Sequence, residues 1–193
     1  WPRNKLILLD DDLTFYCRKN QADWHLSACE PGDLNKMFDL VDSALESYAH
    51  VSVSAREGNN RVQHGSLENT RYMRFLGYNT ALFPHGLEIG RVDGMSDFDL
   101  NLQLLRSGMS SLVLFEYAQD HPGTQTPGGC SLNRTSATHQ SEVRKMIEWH
   151  SPFVKARQKA NKPGGEFGTR TELTVYWKKA FESSKQKTIQ ESA

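Results

Sequence analysis

Residues 5 to 9, KLILL, run straight into Asp10, Asp11 and Asp12. A short unbroken apolar run is the pattern of a buried parallel strand. Three adjacent carboxylates at its end repel one another, so something positive is expected to sit against them. In an open α/β sheet, ligands gather outside the carboxyl ends of the strands, and the run therefore constrains both the fold and the place of a site. Asp10 and Asp12, two apart, point the same way on an extended backbone. A hard cation such as Mg²⁺ or Mn²⁺ takes such oxygens and completes its shell with substrate phosphates. The same acids also suit a plain turn or a helix N-cap.

Downstream, CEPGD supplies a turn with Asp33 as a candidate N-cap. Leu34, Met37, Phe38, Val41, Leu45 and Tyr48 then recur at helical spacing through residue 49, and HVSVS reads as the next strand. REGNNR (56–61) is a polar loop. A short helix is expected over 67–76 and a strand at YNTALF (78–83). A second long helix runs from Asp97 to Ser107, capped by Ser96, with Asp99 completing a capping box and Gly108 ending it. SLVLFEY is another strand, followed by a loop over 119–136 rich in Gly, Pro, Thr and Ser. The pattern then predicts a helix near 138–150 continuing past Pro152, a break at KPGGEFG, a late strand at LTVYW and a frayed tail. Strands alternating with helices give an α/β class. The expected domain is residues 1–181, with 182–193 as a flexible tail.

With 193 residues the chain is long enough to bury a real core as one domain. No apolar run approaches the roughly 20 residues of a membrane span, and no signal peptide opens the sequence. Three cysteines without CxxC spacing argue against a disulfide framework or a zinc site. These features lead to an expectation of a cytoplasmic protein that does not engage membranes. The absence of a starting Met suggests a longer N-terminal part. The Asn133-Arg134-Thr135 glycosylation pattern is read as chance. Charge is unevenly spread: residues 1–141 hold 12 Lys and Arg against 17 Asp and Glu, a balance of −5, whereas residues 142–193 hold 11 against 6, a balance of +5. The basic segment suits a polyanion such as DNA, or simply a solvated helical face.

Two enzyme classes place such acids after a strand. Asp10, Asp12 and Thr14 have the Asp-x-Asp-x-Thr spacing of haloacid-dehalogenase-type phosphatases, loosely echoed by DGMSDFD (93–99), but Leu13 replaces the usual Gly. MSDFDLNLQLLRSG (95–108) resembles the acidic motif of GT-A glycosyltransferases, which opens a helix of the form D-x-x-L-x-L-L-x-x-G. That resemblance implies a Rossmann-like mixed sheet flanked by helices, and Asp10 and Asp12 holding a divalent metal on the donor diphosphate. It makes Asp97 the candidate base, since Ser96 stands where Glu is usual, with Asp99 nearby. His121, in EYAQDHPG, stands where such enzymes often take a third metal ligand, and Asp120 is an alternative. Only nine residues precede the aspartates, so the nucleotide-gripping first section of a GT-A fold is expected to be lacking.

The order of DDD, VSAREGNNR (53–61), RYMRFLGYN (71–79), SDFD, GGCSLNRT (128–135) and VYWKKAF (175–181) is similar to that of the phage-type, TET/JBP-associated glycosyltransferases. The resemblance spans residues 5 to about 181 and implies a nucleotide-sugar donor and, as acceptor, a hydroxymethylated pyrimidine in DNA. If the chain is phage-encoded, its place would be the host cytoplasm. On this resemblance Asp11, Arg56, Asn59, Asn60, Arg61, Ser96, Asp99 and Arg134 would line the donor or acceptor pocket. Arginine suits a diphosphate through its planar fork. Trp149 and Trp177 read as core. Two other readings stay open: a phosphatase with Asp10 as nucleophile and Asp12 as acid/base, and a nucleic-acid-binding module in which the acids are structural.

Overall fold

The computed structural model describes residues 4–19, 25–56, 64–121, 136–160 and 169–191. Seven strands form one mixed sheet: β1 (Lys5–Leu9), β2 (Thr14–Cys17), β3 (Ser27–Ala28), β4 (His50–Ala55), β5 (Ser66–Glu68), β6 (Phe75–Asn79) and β7 (Ser111–Asp120). Their order is β1-β6-β4-β7-β2-β3, with β5 beside the first half of β7. Only β4 and β7 run parallel; the other pairs are antiparallel. Among the described residues four α-helices flank the sheet: α1 (Pro31–Ala44), α2 (Ser96–Arg106), α3 (Ser136–His150) and α4 (Trp177–Glu191). A separate hairpin joins β8 (Val154–Ala160) to β9 (Thr169–Val175). This is the expected mixed α/β sheet flanked by helices.

Strand periodicity explains the layers. On β7, Leu112 and Leu114 face one side and meet Met37 and Val41 of α1, Leu45 just past its end, and Val51 and Val53 of β4. Val113 and Phe115 face the other side and pack with Leu102 and Leu105 of α2, Met146 of α3, and Trp177 and Ala180 of α4. Both faces of the two parallel strands are therefore covered, which is why HVSVSA reads as an unbroken buried run. Its serines are satisfied locally: Ser52 Oγ donates to the Phe75 carbonyl and Ser54 Oγ to that of Tyr117. Trp177 is buried and Trp149 packs against the same cluster, as their core reading required. Among the described residues no helix is long and apolar enough to cross a membrane.

Several expectations need correction. The KLILL run is not a buried parallel strand but an antiparallel edge strand, paired among the described residues with β6 alone, and Leu8 is 54% exposed. A short apolar run has the same pattern in either setting, so sequence alone does not separate them. Residues 67–76 are not helical: β5 ends at Glu68, and the chain then bends through left-handed Asn69 (φ 52°) and Arg74 (φ 63°) into β6. Past Pro152 the chain turns into β8 rather than continuing a helix. Residues 182–191, expected as tail, extend α4, which packs against α2. Helix α2 begins at Ser96 itself, with Met95 at its N-cap and no side-chain cap bond, so neither Ser96 nor Asp99 caps it. Its end does follow expectation: Gly108, at φ +86°, takes the left-handed position just past the last turn.

Candidate active site

The aspartates occupy the link between β1 and β2. Register places Leu9 opposite Phe75 and Thr14 opposite Asp120, so residues 10–13 carry the chain from one side of the sheet to the other. On the way they cross the end where β4 and β7 present their carboxyl termini. The ladder between β4 and β7 slips just before that end, from Val53 opposite Leu114 to Ser54 opposite Ala118. Such irregularities bend a strand and re-aim its last side chains.

Asp10 is the focus of the charges gathered there. Partial burial favours its protonated form, as do the neighbouring Asp12 and Asp11, while Arg74 and His121 favour the carboxylate; the balance raises its pKa. Asp11, Asp12 and His121, all singled out from the sequence, are thus near enough for their charges to act on Asp10. Next to them, Arg56 Nη1 donates to Asp120 Oδ2 at 3.0 Å, and its guanidinium lies 4.1 Å from the centre of the Tyr16 ring. Asp120 Oδ1 accepts from the His121 backbone N–H. Asp120 thus braces Arg56 and the His121 backbone.

Arg74 escaped sequence reasoning. It stands one residue beyond the Leu9–Phe75 pair, where the ladder would next set it against Asp10. Its neighbour Met73 is held from β7: Gln119, fully buried, donates Nε2 to the Met73 carbonyl. An arginine in the left-handed region is unusual, and nothing in the local sequence announces it.

The α2 acids fare differently. Asp99 is buried, and its carboxylate is consumed internally. Oδ1 accepts from His150 Nε2 at 2.7 Å and from Arg91; Oδ2 accepts from Arg91 Nε and from Gln103 Nε2. Burial works against its charge, but the His150 and Arg91 hydrogen bonds outweigh it and hold its pKa below the usual carboxylate value. Arg106 Nη1 lies 3.2 Å from His150 Nδ1. Because guanidinium only donates, Nδ1 accepts and Nε2 carries the proton given to Asp99. Asp99 thus holds the fold together, with its carboxylate closed off from solvent. Ser96 and Asp97 are half-buried on the first turn of α2, and the Asp97 carbonyl accepts from the Tyr72 hydroxyl. Tyr72 lies two residues before Arg74, so this bond ties α2 to the segment that carries Arg74. Asn59, Asn60, Arg61 and Arg134 lie outside the described residues.

Asp10 and Asp12 offer a hard oxygen pair of the kind that Mg²⁺ or Mn²⁺ takes, with an imidazole beside it. Among the described residues no three His, Cys, Asp or Glu side chains form a ready ligand set.

The model of one protein family, TET-Associated Glycosyltransferase, matches residues 3–129. The chain belongs to this family. Its activity class is accordingly glycosyl transfer. Neither a curated protein nor a solved structure matches the chain. The TET-associated glycosyltransferase match takes in the aspartate link, Arg56, Arg74, α2 and His121. It ends before α3, β8, β9 and α4, although Val143, Met146, Val154, Trp177 and Ala180 from that later part belong to the same core as Tyr72 and Leu102.

Proposed function

We propose that this glycosyltransferase moves a sugar from a nucleotide-sugar donor to the hydroxyl of a hydroxymethylated pyrimidine in DNA. In this reading Asp10 and Asp12 hold a divalent cation, Mn²⁺ or Mg²⁺, with His121 as a further ligand. The cation, when bound, neutralises the departing diphosphate. The observation that carries the reading is that the aspartate link crosses the carboxyl ends of β4 and β7, from which Arg56 and His121 directly follow. Arg74 and Arg56 supply planar forks for phosphate oxygens. Asp97, whose turn is anchored through Tyr72, is the candidate to take the proton of the acceptor hydroxyl. Asn59, Asn60, Arg61 and Arg134 complete the donor pocket in this scheme, and Asp11 bonds the ribose. Family membership weighs against the phosphatase alternative.

The test is thermal stabilisation of the protein by a panel of nucleotide sugars, with and without Mn²⁺, followed by transfer to a duplex bearing hydroxymethylcytosine. A selective, metal-dependent shift names the donor. Asp12→Ala is expected to abolish both the shift and the transfer; undiminished turnover in that variant sinks the assignment.

A further inference from the structure

The hairpin β8–β9 and the start of α4 lie beyond the family match, and none of their described side chains enters the site above. Their chemistry is nonetheless one-sided. Register places Lys155 opposite Thr174 and Arg157 opposite Glu172, a row along one face of the ribbon. The alternate positions Val154, Leu173 and Val175 turn toward the core. Among the described side chains that row holds Lys155 and Arg157 against Glu172, and Lys178 and Lys179 follow directly on α4. Lys155, Arg157, Lys178 and Lys179 are all exposed.

Tyr176 joins the two elements. The Lys155 ammonium lies 5.8 Å and that of Lys179 5.2 Å from its ring centre, so one half-buried aromatic holds a cation from the hairpin and another from the helix on one surface. The exposed large apolar side chains among the described residues are Leu6, Leu8, Leu9 and Ile89, none of them here. A membrane-binding surface inserts apolar groups beside its cations, so this face lacks half of what a bilayer requires. A two-stranded ribbon is, on the other hand, one of the two elements that the major groove of B-DNA admits, and cations spaced along it meet phosphates.

We propose that the outer face of β8–β9, with Lys155, Arg157, Tyr176 and Lys179, is a docking surface for the phosphate backbone of duplex DNA. The inference rests on the reading that the acceptor base lies in DNA, and it adds where the duplex is gripped. Phosphate contacts of this kind position without reading sequence, so the surface holds unmodified and modified duplex alike.

The experiment is fluorescence anisotropy of the full chain with an unmodified duplex of about 20 base pairs across a salt series, without metal or sugar donor. The Lys155→Glu/Arg157→Glu variant is expected to bind at least tenfold more weakly, and its salt slope to fall by about two, one per lost phosphate contact. Lys155→Gln/Arg157→Gln falls between the two, and Arg144→Glu/Lys145→Glu on the exposed side of α3 binds as the parent does. Equal weakening in the α3 variant, unchanged binding in the hairpin variants, or binding to phosphatidylserine vesicles as tight as to DNA overturns the proposal. Transfer to a free hydroxymethylated nucleotide separates the two readings. If the parent transfers sugar but binds no duplex, the docking surface fails and the transferase reading stands. If the hairpin binds duplex while no acceptor is ever glycosylated, the reverse holds.

Discussion

Asp99 Oδ1 and His150 Nε2 lie 2.7 Å apart, with both side chains closed off from solvent. The contact joins the first turn of α2 to the last residue of α3, and Arg91 and Arg106 complete it. Removing one member of a buried, hydrogen-bonded set leaves the others unpaired in low dielectric, at a cost of about 3–5 kcal/mol. Asp99→Asn and His150→Ala are each expected to lower the urea midpoint accordingly. Donor affinity of the molecules that remain folded should not change. A variant that keeps parental stability but loses donor binding would return Asp99 to the site.

The same carboxylate sets an acid limb. Its folded pKa lies below the ordinary value of about 3.9, so its contribution is present above that value and is lost as pH falls through the lower, folded one. Stability measured between pH 5 and pH 2.5 should fall less steeply in Asp99→Asn than in the parent. Equal slopes would mean that Asp99 is not held as a charged partner.

His50 acts at higher pH and with a different cause. It is fully buried, 4.4 Å from the Tyr72 ring and 5.0 Å from that of Tyr78, and neither ring nitrogen meets a protein partner among the described residues. Burial lowers its pKa to about 3. Between pH 6.5 and 3 the unfolded chain takes up a proton that the folded chain refuses, so stability falls as pH falls, by about 1.4 kcal/mol per unit. At pH 5 the loss from this residue is about 2 kcal/mol. His50→Phe keeps the ring and removes two unpaired polar atoms. It should be neutral or stabilising at pH 7 and should flatten the decline to pH 5, as read from urea midpoints at the two pH values.

Gly77 tests the packing of the sheet against α1. A Cβ there would lie 3.0 Å from the Val51 carbonyl oxygen and 3.4 Å from Val41 Cγ1. The first neighbour is backbone in the adjacent strand and has no room to yield. Gly77→Ala is therefore expected to cost about 1–3 kcal/mol by overpacking, measured as a lower thermal midpoint.

How much of this was legible follows from the range of each interaction. The apolar stripe of α1 and the alternation on β7 are local patterns, and both elements stand about where periodicity placed them. The aspartates stood out as acids closing an apolar run, a short-range signal, whereas Arg56 and His121 were pointed to only by the family resemblance. The edge position of β1 was hidden, since burial of KLILL depends on which strand lies beyond it. Asp99 looked like a cap because a capping box and a buried ion pair present the same residue, and its partner His150 is 51 positions away. Arg74 had no signal at all: its importance lies in a backbone angle and in a neighbour 64 residues earlier.

That backbone angle allows a sharp final test. At φ 63° Arg74 occupies a region that costs an ordinary L-residue roughly 1–2 kcal/mol, whereas glycine enters it freely. Were Arg74 only structural, Arg74→Gly would cost stability through lost contacts. In the reading developed above it sits beside Asp10 to meet donor phosphates, and its strain is retained for that purpose. Arg74→Gly should then be as stable as the parent, or more stable by about 1 kcal/mol, since glycine's greater freedom in the unfolded chain offsets part of the gain. Donor affinity, read by metal-dependent thermal shift, should fall at least tenfold. Arg74→Lys keeps the charge and the strain but not the fork, and should lose affinity without gaining stability. Parental donor affinity in Arg74→Gly would remove this residue from the site.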